Sequence, residues 1–536
     1  MQHIKKQSSF LSKKSQFLLL NFGIELLKIQ FSKLILRIII SLNKYFIDFI
    51  YFNTSLISFK YQTQIPHIFY QEFINFQSYQ IQKKTRMIQQ KKYFNNMKDL
   101  LISELPSLTD ISIDLRKNKI YFSQRLHSPL SKCTNLTSLS LNLDDNDIVD
   151  KEAKNLGIIL NNCSNLTNLI LSLKSNQITK KGLSCLIQSL AKCSNLTSLK
   201  LYLQKNQISG FSIEGLNSDL DFMNLSTLTI SLFQNQIGDS EISSLGSFLV
   251  KCAKLQNLTL DIHTDQNIPS IQQTGAQLLG SCIENCTNLQ SLSINFKNNL
   301  IGQEGGLYFG NSLAKCTKLQ NLSLDFTFNK IGAKGASGLS CALQKLSNLE
   351  YLTLILKSNS INKYSIQSLC SGFSNCSKLL SLSLSLDSND ICDKGVFTLG
   401  LALENLTKLQ YLSLNLSSCE IEGIGFVYLG NSIKKCGSNL LQLSLNFSKC
   451  KIDEQAQLSL NSAIANCNKL FSLTLIIYNF KSQNVQILDL VSVMESCIFL
   501  KNLTLQISVP FQIFRLVKKK VLKLKRLINR NLYNKD

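Results

Sequence analysis

Two rhythms alternate along most of the chain. In LTSLSLNLDDNDI (136–148), LTNLILSLKSNQI (166–178), LTSLKLYLQKNQI (196–208) and LLSLSLSLDSNDI (379–391), leucine recurs at every second position, as at Leu139, Leu141 and Leu143. That period predicts a strand with one buried face. The segments between have helical spacing. In IGQEGGLYFGNSLAKC (301–316), Phe309, Leu313 and Cys316 are four and three residues apart, which places them on one helix face. Gly182, Gly305, Gly335 and Gly395 predict the turn into the helix.

Fourteen such units start between Leu108 and Leu500, most of them 30 residues apart. A strand, a turn and a helix repeated in order predict parallel strands on one face and helices on the other. No unit buries its own apolar face, but stacked units share one core. Three regions follow: a basic, apolar extension over 1–98, helical or poorly ordered; the array over 99–508; and a basic amphipathic capping helix over 509–536.

Asparagine stands three residues past the last strand leucine, at Asn146, Asn176, Asn206, Asn235, Asn299, Asn329, Asn359 and Asn389; Cys419 and Cys450 replace it in two units. There the chain leaves the strand, and a buried amide repeated in register satisfies backbone groups from one unit to the next. The pattern resembles the leucine-rich-repeat family over about 400 residues, specifically the ribonuclease-inhibitor-like branch with a full helix per unit, and is similar to long ciliate arrays. The units read LxxLxLxLxxNxI, two residues longer on the strand side than the usual LxxLxLxxNxL, which leaves strand length and curvature open. The resemblance implies an α/β horseshoe, with strands concave and helices convex.

Charge redraws the picture only at the ends. Of the net +23, residues 1–98 hold 15 basic against 3 acidic residues and 501–536 hold 10 against 1, so the middle, 99–500, is nearly neutral at +2. A groove tracking phosphates needs clustered positive charge, so no nucleic-acid partner is expected. The stretch 31–50 places Lys33, Arg37, Lys44 and Asp48 on one helical stripe and reads as a membrane-surface helix or targeting segment. A cap over the first repeat, or a start assigned too far upstream, fits it as well. Beyond Pro510, Phe514, Val517, Val521, Leu524 and Ile528 form an apolar stripe beside Lys519, Lys523, Arg526 and Arg530. A solvated cap, or weak contact of these termini with an anionic membrane or an acidic partner, fits the stripe.

Ten of the seventeen cysteines, Cys133, Cys163 and Cys193 among them, recur at the same place in their units, and no C-x-x-C pair is present. Position in a stack makes them core residues, reduced, in the cytoplasm, with the nucleus or a membrane periphery as alternatives. No phosphate loop, nucleophile elbow, HExxH or kinase triplet is present, so no enzyme and no cofactor are expected. The Asn-Leu-Thr sequons, as at Asn135, are by-products of the repeat.

The resemblance implies a protein partner on the strand face. Residues between the strand leucines are mostly Ser, Thr and Asn, and interface anchors are usually aromatic or Arg. Tyr202, Phe233, Tyr351, Tyr411 and Tyr478 are the candidate anchors, with Lys200, Asp261 and Asp325 as charged contacts. Ordinary surface variation accounts for them as well. The unit from Leu255 is stretched to 34 residues and adds His263; with Asp261 and Asp265 it offers one histidine and two carboxylates from one loop, too few to define a metal site. The expected function is a non-catalytic scaffold. Alternatives are an enzyme regulator, such as a small-GTPase activator or an inhibitor, and a membrane-peripheral adaptor using the termini.

Overall fold

A computed structural model describes residues 91–102, 108–118, 127–130, 133, 135–210, 224–265, 270–373, 375–478 and 486–534. Two units are distinguished along the chain, Met1–Arg86 and Met87–Asp536. The first, with the 31–50 stripe, lies outside the described residues.

Among the described residues of the second unit, sixteen strands pair in parallel in strict chain order. Fourteen of them begin two residues after the unit leucines. The other two lie beyond the array: Lys91–Phe94 pairs with Asp110–Asp114, and Asn529–Asn534 pairs with Asn502–Ile507. The array therefore carries one extra strand at each end. The segment after Pro510 is a helix, Phe511–Lys523, followed by that last strand, rather than a helix alone. Ile528 consequently lies outside the helix and is 73% exposed.

The repeated strand is five residues long, as in Ser138–Asn142, with alternate residues buried. The third leucine follows directly and extends the pairing: Leu143 N donates to Ser172 O at 2.8 Å. This is what the two additional residues of the repeat accomplish. Leu139, Leu141 and Leu143 are each at most 1% exposed and stack on their counterparts in adjoining units. Packed full-length helices run from 11 residues (Lys180–Leu190) to 14 (Gly332–Lys345). Strands repeat every ~4.8 Å, whereas packed helices need about 8–10 Å. The stack therefore curves toward its strands, which makes their exposed face concave.

The predicted turn glycines prove to be something else. Gly182, Gly305, Gly335 and Gly395 all lie within the first turn of their helices. Close packing is their role: a Cβ on Gly182 meets the Asp150 carboxylate of the preceding helix at 2.3 Å.

The asparagines do bind between units. Asn176 Oδ1 accepts from Asn146 N at 3.1 Å and Ile148 N at 2.9 Å, while Nδ2 donates to Leu143 O at 3.1 Å. Immediately ahead, Ser175, Lys205, Gln234, Asn298, Phe328, Ser358 and Ser388 adopt positive φ without being glycine. A left-handed L-residue costs roughly 1–2 kcal/mol; the buried amide bonds offset that cost unit after unit. In Cys419 and Cys450 the thiol takes the donor role, to Leu386 O at 3.1 Å and Leu416 O at 3.2 Å.

The cysteines at the helix exits are buried as expected. Cys316 Sγ donates to Ile283 O at 3.5 Å in the preceding unit. Burial pushes the Cys316 thiol up to about 12 and Cys163 to about 11.

Candidate protein-binding face

Alternation gives the sheet one face turned away from the helices, and that face is the candidate site. Its middle row is small and hydroxylic over a long run: Ser323, Thr353, Ser383 and Ser413 are register partners on adjacent strands. Short side chains leave the backbone approachable, so larger neighbours stand clear of the surface.

Tyr351 and Tyr411 are those neighbours. They occupy the first position of strands Tyr351–Ile355 and Tyr411–Asn415, both in register with Ser381 on the strand between. Two strand spacings separate them by about 10 Å. Tyr351 is 45% and Tyr411 39% exposed. A shallow depression lined by Ser381, Ser383, Tyr411, Ser413 and Gln442 lies beside them. The sequence picked these two from their position between strand leucines, but only the register brings them together.

Other candidates are engaged within the protein. Tyr202, half-buried, has the Lys174 ammonium 5.3 Å above its ring. Tyr478, just past its strand, donates through its hydroxyl to Gln506 Oε1 at 2.7 Å. Asp325 Oδ1 accepts the Thr327 backbone N–H at 2.8 Å. Lys200 stands in the middle row between Ile170 and Thr229.

Phe233, Asp261 and His263 form one cluster. The Phe233 and His263 rings stack with centroids 3.9 Å apart, and His263 Nδ1 lies against Asp261 Oδ1. Ser231 Oγ donates to Asp261 Oδ2 at 2.7 Å and Asn295 Nδ2 to Oδ1 at 3.0 Å. Burial raises the Asp261 pKa, but the hydrogen bonds from His263 and Ser231 and the His263 charge outweigh it and hold the carboxyl below its ordinary 3.8. Asp265 turns to Gln234 Nε2 instead. Among the described residues no three His, Cys, Asp or Glu converge as metal ligands. Ser231 and Asn295 escaped the sequence reading; their shared strand register with Asp261 was the available signal.

Leucine stacking, an asparagine run and one strand per unit in chain order decide the architecture. The fold is a leucine-rich-repeat solenoid. No protein-family model matches the sequence, and no curated protein matches it. Among solved structures, the solenoid is similar to an internalin (inlF) from Listeria monocytogenes, at 19% identity and TM-score 0.40, covering 70% of this chain and 82% of that one. It is also similar to a chain in the octameric complex of Latrophilin 3, Unc5D and FLRT2 (LRR), at 18% identity and TM-score 0.34, covering 60% of this chain and 86% of that one. Among the described residues of the solenoid, no helix is long and apolar enough to cross a membrane.

Proposed function

We propose that the protein is a non-catalytic scaffold that holds a protein partner along the exposed strand face, with Tyr351 and Tyr411 as anchors. The observation that carries this reading is the pairing of those tyrosines across Ser381, beside the small hydroxylic row of Ser323, Thr353, Ser383 and Ser413. Tyrosine supplies large contact area with few rotatable bonds, and hot spots are enriched in it. Lys200 and Asp325 lie on the same face and add charge selectivity. Phe233 and His263, stacked on each other, contribute as a fixed plate rather than as separate anchors.

The full helix in most units supports a place in the ribonuclease-inhibitor-like branch. Thiols packed in the core at the helix exits of most units support a reducing compartment, and we place the scaffold in the cytosol.

Proximity labelling in the source cell, comparing the parent chain with a Tyr351→Ala/Tyr411→Ala variant, tests the proposal. Both substitutions are at exposed positions, so the variant retains its circular dichroism and melting profile. The expected result is loss of a defined subset of labelled proteins. An unchanged set ends the anchor assignment.

A further inference from the structure

The nearly neutral array conceals an uneven edge. Each helix is joined to the next strand by a short connection, and all these connections line one edge of the sheet. Lysine recurs there, at Lys251, Lys254, Lys315, Lys318, Lys378 and Lys469. Several are steered by the preceding unit: Lys318 Nζ donates to Asn288 Oδ1 at 2.8 Å, Lys378 to Asn348 at 2.7 Å and Lys469 to Asn439 at 2.9 Å.

At the C-terminal end the edge changes character. The connections 467–471, 497–501 and 524–528 carry Lys469, Lys501, Lys525 and Arg526 and no acidic residue. They also expose large apolar groups: Phe471 at 48%, Ile498 at 64%, Phe499 at 55% and Ile528 at 73%. Backbone bonds fix these groups as neighbours. Lys501 N donates to Phe471 O at 2.9 Å and Ile528 N to Lys501 O at 2.8 Å, so Phe471, Lys501 and Ile528 occupy consecutive rungs.

We propose that this end of the edge is a peripheral docking site for an anionic lipid membrane. Phe471, Ile498, Phe499 and Ile528 enter the headgroup–acyl boundary, and Lys469, Lys501 and Lys525 reach the lipid phosphates and carboxylates around them, while the half-buried Arg526 donates to Met494 O. Apolar groups ringed by cations suit an anionic bilayer surface, where long basic side chains keep their charge in the wet layer. A nucleic acid fits less well, because the two isoleucines offer no face on which a base stacks. The centre of a protein interface is depleted in lysine. The site is independent of the tyrosines on the strand face.

The chain contains no tryptophan, so Phe499→Trp gives it a single reporter at the site. The full chain is titrated with vesicles of phosphatidylcholine alone and of phosphatidylcholine with phosphatidylserine. The expected result is a blue shift and protection from a water-soluble quencher with phosphatidylserine vesicles only, reversed by salt. A Tyr351→Trp chain shows no shift. Adding Lys469→Glu, Lys501→Glu and Lys525→Glu to the Phe499→Trp chain weakens binding at least about tenfold. Four outcomes overturn the proposal: no shift with phosphatidylserine; an equal shift with phosphatidylcholine alone; unchanged binding after charge reversal, which assigns the contact to another basic region; and tighter binding of RNA or polyglutamate than of vesicles at the same edge.

Discussion

Asn359 holds the backbone of the unit before it: its Oδ1 accepts the N–H groups of Asn329 at 3.1 Å and Ile331 at 3.2 Å. Its Nδ2 donates to Phe326 O at 2.7 Å and to Lys357 O at 2.9 Å. One buried side chain therefore serves four main-chain groups in two units.

Asn359→Ala leaves the Asn329 and Ile331 N–H groups without their acceptor, whereas Phe326 O keeps Asn329 Nδ2 and Lys357 O keeps the Phe328 N–H. Each unsatisfied buried group costs about 1–3 kcal/mol, and partial hydration brings the expected loss to about 3–5 kcal/mol. Asn359→Cys costs less, because a thiol there donates to the preceding unit as Cys419 does to Leu386 O. Urea midpoints of the two variants order them.

The helices Gly302–Leu313 and Gly332–Lys345 touch through glycine. A Cβ on Gly338 meets Leu307 O at 2.6 Å, and one on Gly310 meets the Gly338 carbonyl carbon at 2.2 Å. Backbone does not yield as a side chain does, so Gly338→Ala forces the helices apart and costs about 2–3 kcal/mol. Gly302→Ala is the contrast. Its Cβ meets nothing within 4 Å and only the positive φ is strained, so the cost is about 1 kcal/mol. Cys392 accepts a φ of 52° at the equivalent helix start. Thermal melts separate the two effects.

Stability falls in alkali through the buried thiols. Burial lifts Cys252 from the ordinary 9.0 to about 12, and Cys376 to about 11. Below the unfolded value of 9.0 both states hold the proton and stability is flat. Above it the unfolded chain loses protons first, so stability declines as pH climbs toward 11–12. Urea unfolding followed from pH 8 upward shows the decline. Cys252→Ala lowers stability at neutral pH but makes the alkaline slope shallower.

The carboxyl of Asp261 acts at the other end of the scale. Held below its ordinary 3.8, it contributes stability above that value, and the contribution is lost as pH falls through the lower folded value. Asp261→Asn weakens the bonds from His263, Ser231 and Asn295 and costs about 1 kcal/mol at pH 6. The difference between parent and variant shrinks near pH 3, which denaturant titrations at the two pH values check.

Alternating leucines, helical spacing and an asparagine every unit were enough to determine the strand–helix order, the shared core and the buried thiols, because each of these depends on period and position within a unit. The terminal strands were not legible that way. An end strand stacks on one neighbour only, so Asn529–Asn534 places Arg530 opposite Leu503 and Asn534 opposite Ile507, and no leucine rhythm marks it. Nor did sequence distinguish an exposed tyrosine from a committed aromatic. Phe233 and His263 lie 30 residues apart and meet only because successive units stack in register. The basic edge was hidden for the same reason: charge summed along a chain averages over positions that stacking separates into edges and faces. Period specifies the unit, whereas the side-by-side placement of units decides which groups share a surface.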